Sequence, residues 1–256
     1  IQGNLVREYV KWDDQPASVE AIPESFIRAH RVAVTEPQGP VYVCFDVALQ
    51  EEKLSKPMPI PEVKKYAPPS PIYARPEDLR KAGEMLVDAE KPVVIADLVG
   101  RKPNGMERLI HFAESMALPV INLAGSLNIP TNHPMDLSGT DILSGADLIL
   151  ALDVKDVFGS LTKTDKATRA ARYVTRDDVK IISINVTDLY IRSTITDFQR
   201  LQGVDLPIAA DASFAIPELN KICTDLVEKN PSEKPRISER FEQMKAKHEA
   251  QRQKWR

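Results

Sequence analysis

The chain has 256 residues, 43% of them hydrophobic and 28% charged, with a formal net charge of −3. This is the composition of a globular chain of one or two domains, long enough to bury a sizeable core. It excludes a general basic field for nucleic acid, and no apolar run approaches the ~18 residues that a membrane helix needs.

The N-terminus shows no signal-peptide pattern. Cys44 and Cys223 lie far apart and outside any CxxC or Cys/His cluster. They read as buried, inert thiols in a reducing cytoplasm, not as a disulfide or zinc framework.

Residues 21–34, AIPESFIRAHRVAV, place Ile22, Phe26, Ala29, Val32 and Ala33 at helical spacing and predict an amphipathic helix. PQG at 37–39 ends it, and PVYVCFDV (40–47) reads as a buried strand. Nothing before this helix reads as an element. One helix and one strand each bury a single face and cannot close a core, so this segment is expected to dock elsewhere or to lack its partners. Residues 53–76 contain seven prolines. Proline removes backbone donors and fixes φ, so this run predicts an extended interdomain linker.

From Glu77 onward the pattern is regular. The chain predicts a helix over 78–89, a strand over 92–97, a helix over 104–116 and strands over 118–125, 146–153 and 179–186. A short fifth strand (205–211) and a helix (212–227) follow. Continuously apolar strands alternating with helices define an α/β, doubly wound, mainly parallel sheet covered on both faces. In 231–256, eight Lys/Arg face four Glu with alternating signs, and Ile237, Phe241, Met244, His248 and Trp255 form one stripe. This predicts a solvated helix that docks by a narrow stripe, in preference to a nucleic-acid arm. The chain opens on Ile1 and closes at Arg256 inside that helical pattern, which reads as a piece of a longer protein.

In open α/β sheets, ligands sit outside the C-terminal ends of the strands, at the switch point of strand order. The candidate nucleotide-loop positions there are Gly100 and Gly105 after the first strand of the regular region, Gly125 and Ser126 after the second, Asp153 after the third, Asn185 after the fourth and Asp211 after the fifth. Glycine would let backbone N–H groups approach a pyrophosphate at a helix N-terminus, but GxGxxG is absent and Asp97 would repel an anion. The first loop therefore stays open between a cofactor loop and a plain strand–turn–helix joint. Asn104 is placed to cap the following helix with its side chain. His30, His111, His133 and His248 lack an evident partner and read as structural. No nucleophile motif, paired carboxylates or metal cluster appears, so no catalytic residue is assigned.

Several segments in this order carry a resemblance. NLVREYVKWDDQPASVEAIPESFIRAHRVAVTEPQGPVYVCFDV (4–47) resembles the end of the pyrimidine-binding domain of thiamine-diphosphate-dependent enzymes of the acetolactate synthase type, with Lys11, Trp12, Ile22, Pro23, Gly39, Pro40 and Val41 matching that pattern. EKPVVIADLVGR, ALPVINLAGSLNIPTNHP, GADLILALD and VKIISINVTDLYI resemble successive strands of the family's Rossmann-like central domain. The resemblance implies a division into 1–52 (tail of the pyrimidine-binding domain), 53–76 (linker), 77–230 (central domain) and 231–256 (helix toward a missing diphosphate-binding domain).

It also implies a parent that acts on a small 2-oxo acid by decarboxylation or carboligation with thiamine diphosphate and Mg2+, as a homodimer or homotetramer. This chain has no GDG motif and would neither bind that cofactor alone nor be catalytic. Relatives can hold FAD or ADP in the central domain. Here Asp97 and Leu98 stand near an expected glycine, Gly125-Ser126-Leu127 replaces a Gly-Lys-Gly, and Asp153-Val154-Lys155 replaces a Gly-x-Arg, which argues against a flavin or ADP. The alternative reading is a non-catalytic module that binds FAD or ADP.

Overall fold

The structure, a computed structural model, describes residues 2–123, 125–168, 170–189 and 200–254. The chain divides into two compact units between Pro71 and Ile72.

The first unit comprises α1 (Gly3–Val6), β1 (Trp12–Asp14), α2 (Ile22–Val34), β2 (Val41–Val43) and α3 (Val47–Glu51). β1 and β2 pair in parallel, from Trp12↔Val41 to Asp14↔Val43. The Lys11 ammonium donates to the carbonyls of Val32 (2.8 Å) and Thr35 (2.6 Å), closing the C-terminal turn of α2. The predicted buried strand over 40–47 is shorter than expected. It spans three half-buried residues, because β1 is its only strand partner among the described residues and α3 takes over at Val47. β1 itself was not foreseen. Within the proline-rich run, Val63–Tyr66 makes a 3-10 turn that packs on α2, so residues up to Pro71 fall with the first unit.

The second unit holds α4 (Pro76–Asp88), β3 (Pro92–Ala96), α5 (Gly105–Ser115), β4 (Val120–Asn122), β5 (Leu148–Leu152), α6 (Val157–Ser160), β6 (Thr162–Thr164), β7 (Ala171–Tyr173), β8 (Lys180–Asn185), β9 (Leu206–Ala209), α7 (Ala212–Lys229) and α8 (Glu233–Lys254). Its sheet is all parallel, in the order β4-β3-β5-β8-β9. The chain runs outward from β3 to β4 and then crosses back to β5, so the switch point lies between the C-terminal ends of β3 and β5.

Side chains alternate between two cores, as the pleat dictates. Val94, Ala96, Leu150, Leu152, Ile182 and Ile184 pack with α4, α5 and α7. Val93, Ile95, Ile149, Ala151 and Ile181 face the other way, onto Ala146, Val154 and Leu161. β3 and β5 are buried at every residue. Among the described residues the second face is covered by short segments instead of the long helices expected of double winding. These are a 3-10 turn at Ile142–Gly145 and the stretch from α6 to the antiparallel β6–β7 hairpin, which carries too few apolar residues to have been predicted.

Neither edge of the sheet is bare. Along β4, Val120 donates to the Met135 carbonyl (2.8 Å) and accepts from Leu137 N–H (2.9 Å). On the other side, β9 carries Pro207, opposite Ser183.

The predicted terminal helix exists as α8 and lies within the second unit. Ile237, Phe241 and Met244 pack against the core, while Trp255 lies outside the described residues. Its strongest anchors are polar. Arg240 is 7% exposed and donates to the carbonyls of Ala117 (3.0 Å), Met116 (2.7 Å), Glu90 (3.2 Å) and Ala89 (3.4 Å). These carbonyls end α5 and α4, where the helix dipoles are negative and the last C=O groups lack intrahelical partners. Arg236 donates to the Val87 and Asp88 carbonyls. Farther along, Gln251 donates to the Ser138 carbonyl at 2.7 Å.

Candidate functional site

The switch point is filled by protein. Asp97 follows β3, is 4% exposed, and accepts Lys155 N–H at 3.4 Å, with the Lys155 ammonium 3.8 Å away. Gly125 is seated against this carboxylate: a Cβ there would stand 2.0 Å from Asp97 Oδ1. A Cβ on Gly100 would stand 1.9 Å from the Leu127 carbonyl oxygen, and one on Gly105 2.0 Å from that of Val99. These glycines are required because one stretch of the chain approaches another.

Asn128, fully buried, ties the loops together. Its Nδ2 donates to Ala96 O (3.1 Å), Asp97 O (3.0 Å), Ser126 O (2.9 Å) and Asn122 Oδ1 (2.7 Å). Its Oδ1 accepts from Gly100 N–H and from the Ser126 hydroxyl, both at 2.9 Å. A phosphate placed here would meet a buried carboxylate and a set of carbonyl oxygens, and the Gly100 N–H is already committed. The residues present do not fit a nucleotide diphosphate at this position.

The other candidates are spread along the same edge. Asp153 follows β5 with φ 49°, in the left-handed region that Asp tolerates better than most residues. Asp211 is fully buried; its Oδ1 caps α7 by accepting Ser213 N–H (3.0 Å) and the Ser213 hydroxyl (2.6 Å), and the Lys102 ammonium stands 3.4 Å from Oδ2. Asn104 stands at the N-cap position before α5, but at φ 60° and without a side-chain cap bond, a correction to its expected role: in the left-handed conformation its side chain is not aligned with the first-turn N–H groups.

Asn185 borders a cavity of about 450 Å³ outside the ends of β5, β8 and β9, where Arg200 lies over the Phe158 ring with its guanidinium carbon 4.5 Å from the centroid. The structure therefore gathers Gly100, Gly125 and Ser126 around Asn128, and leaves Asn185 and Asp211 in separate settings. Asn128 and Arg200 were missed, and Lys155 was read only as part of the segment that replaces a Gly-x-Arg. Only Asn128 carried a signal, as a polar residue directly after the second-strand glycine loop.

The histidines have structural surroundings. His133 Nδ1 accepts Met135 N–H (3.2 Å) while Nε2 lies 3.2 Å from Glu114, and His248 Nδ1 donates to the Asp136 carbonyl (2.7 Å). His30 and His111 are exposed on their helices. Among the described residues, no group of three or more His, Cys, Asp and Glu could hold a metal ion, and no helix is long and apolar enough to cross a membrane. Both cysteines are buried and unpaired with each other. Burial pushes the Cys223 thiol up to about 12.

The fold is that of a part of thiamine-diphosphate-dependent enzymes. Benzoylformate decarboxylase from Polynucleobacter necessarius superposes with a TM-score of 0.64 over 86% of this chain and 39% of that one, at 19% identity. A thiamine diphosphate-dependent 4-hydroxybenzoylformate decarboxylase of Rhodococcus jostii does so with a TM-score of 0.63 over 86% and 40%, also at 19% identity.

No family model matches the chain. In sequence, it is 26% identical over 232 residues to a Methanococcus aeolicus protein named "Probable acetolactate synthase large subunit", covering 90% of this chain and 38% of that protein. A benzoylformate decarboxylase of Pseudomonas aeruginosa is 27% identical over 169 residues, covering 59% and 30%. The chain thus matches a part of thiamine-diphosphate-dependent enzymes of the acetolactate synthase type, spanning about 38% of the length of the first of these relatives.

Proposed function

We propose that this chain is the central structural portion of a thiamine-diphosphate-dependent enzyme that decarboxylates or ligates a small 2-oxo acid, and that it is not itself catalytic. The observation that carries this reading is the asymmetry of the match: it runs through 90% of this chain and only 38% of the relative. In such enzymes the cofactor supplies the electron sink for a carbanion, and protein supplies orientation. The diphosphate and Mg2+ would be held by parts of the parent outside this sequence, which has no GDG motif. The parent would be a homodimer or homotetramer, which light scattering on the assembled protein would test.

The reading has two checks. The reading frame that follows the codon for Arg256 is expected to encode a GDG…N segment, and a frame without one refutes the parentage. Thiamine diphosphate with Mg2+, added to this chain alone, is expected to leave its melting temperature unchanged.

The cavity outside β5, β8 and β9, with Arg200 stacked on Phe158, supports a second reading as a nucleotide-binding module. ADP or FAD at ~100 times its dissociation constant would then stabilise the chain by roughly 2.7 kcal/mol. We expect no such shift, given the filled switch point; a shift with either nucleotide would favour the second reading.

A further inference from the structure

A second cavity, of about 330 Å³, lies under α8 at the N-terminal ends of β3 and β4, opposite the switch point. It opens where the chain enters β3 and where the turn before β5 passes beneath the helix. Its floor is apolar: Pro92, Val93 and Pro119 are buried, and Ile142 and Met244 are half-buried at its sides. The volume falls in the range of small-molecule sites, which pair an apolar lining with a few placed polar groups.

The charges around it do not cancel evenly. Lys247 is paired with Asp141 at 2.7 Å, and Arg236 with Glu233 at 2.5 Å. Arg240 is different: its guanidinium is buried and donates to four backbone carbonyls. Asp147, a carboxylate that acts on it through space, is engaged by the N–H groups of Glu90 (2.8 Å) and Lys91 (2.9 Å). The Lys91 ammonium, on the rim, makes no ion pair among the described residues. Against these stand Glu90 and Glu239, both exposed to water, where their charge is screened. The buried Arg240 charge acts through a lower dielectric than the exposed Glu90 and Glu239 carboxylates, and Lys91 is the rim cation with no carboxylate paired to it among the described residues.

We propose that this cavity binds a small organic acid: a carboxylate held by the Lys91 ammonium in the field of Arg240, on a compact apolar body seated between Val93, Pro119 and Met244. The site lies away from the switch point and is independent of the parentage proposed above.

The test uses benzoate, its neutral isostere benzamide, and the full chain observed by two-dimensional amide NMR. Benzoate is expected to shift the amides of residues 91–93 and 240–247, and benzamide to bind about tenfold more weakly, the loss of one charge-assisted contact. Lys91→Ala, an exposed substitution, is expected to weaken benzoate about threefold without altering benzamide. Met244→Trp should fill the cavity and remove both ligands. Equal binding of benzoate and benzamide, shifts located elsewhere, or benzoate affinity unchanged in Lys91→Ala overturns the proposal. If Met244→Trp fails to fold, the benzamide comparison and Lys91→Ala decide the matter by themselves.

Discussion

Replacing Arg240 separates two opposing contributions to the docking of α8. The guanidinium satisfies four carbonyls at the ends of two helices, two of them, Met116 and Ala117, at 2.7 and 3.0 Å. Lysine keeps the charge but concentrates its donors on one nitrogen, which cannot reach both helix ends. At least two buried carbonyls then lose their donor, at ~1–3 kcal/mol each, so Arg240→Lys is expected to cost about 3 kcal/mol. In a unit of this size each kcal/mol moves the midpoint by roughly 2–4 °C, giving a fall of about 6–12 °C in thermal unfolding followed by circular dichroism at pH 7.

Burial also disfavours the charge itself, lowering the Arg240 pKa to about 10, a cost on the order of 3 kcal/mol. Arg240→Met loses the same hydrogen bonds but is relieved of that cost, so it should melt above Arg240→Lys and at or below the parent. A lysine variant within about 1 °C of the parent, or a methionine variant less stable than the lysine one, would refute this account of how the helix is held.

Asn128→Ala removes the group that joins Ala96, Asp97, Asn122, Ser126 and Gly100, and is expected to destabilise by ~3 kcal/mol in urea titration, through orphaned buried donors and acceptors. Gly100→Ala should cost about 2 kcal/mol or more, since the added carbon meets a backbone oxygen that cannot rotate away; an unchanged urea midpoint would contradict the close approach. Cys223 should resist alkylation at pH 8 at a rate that follows unfolding, and prompt modification would show it to be accessible. Above pH 9 the two shifted groups act oppositely. Cys223, raised from 9.0 to about 12, makes stability fall as pH rises through that interval, because the unfolded thiol loses its proton first. Arg240, lowered to about 10, makes stability rise as pH passes above that value, because the folded form loses its proton first. Cys223→Ala should therefore flatten the decline between pH 9 and 10, and an unaltered slope would contradict it.

The elements that bury whole apolar runs were legible from residues alone. β3 and β5 are PVVIA and LILAL, buried at every position, and α2 and α4 carry proline within the first turn and an apolar stripe after it. The candidate site was less legible, for two physical reasons. A glycine required by a ligand phosphate and one required by a neighbouring loop look the same in sequence; only the atoms facing Gly100 and Gly125 tell them apart. Arg240 and Asn128 bind chiefly to backbone carbonyls, and a carbonyl leaves no signature because every residue has one. The β6–β7 hairpin, TKT and ARY, lacked the alternation that marks a strand.

The guarding of the sheet edges has a consequence for how copies of this unit can meet. A parallel sheet with an open flank is a template on which a second chain can add strands and polymerise. Here the segment Met135–Leu137 occupies the flank of β4, and α8 fastens the adjoining residues through His248 and Gln251. On β9, Pro207 withholds the amide that an incoming strand would need. Loss of α8 would therefore do more than expose a helical face: it would loosen the strip that keeps the β4 edge from recruiting another molecule.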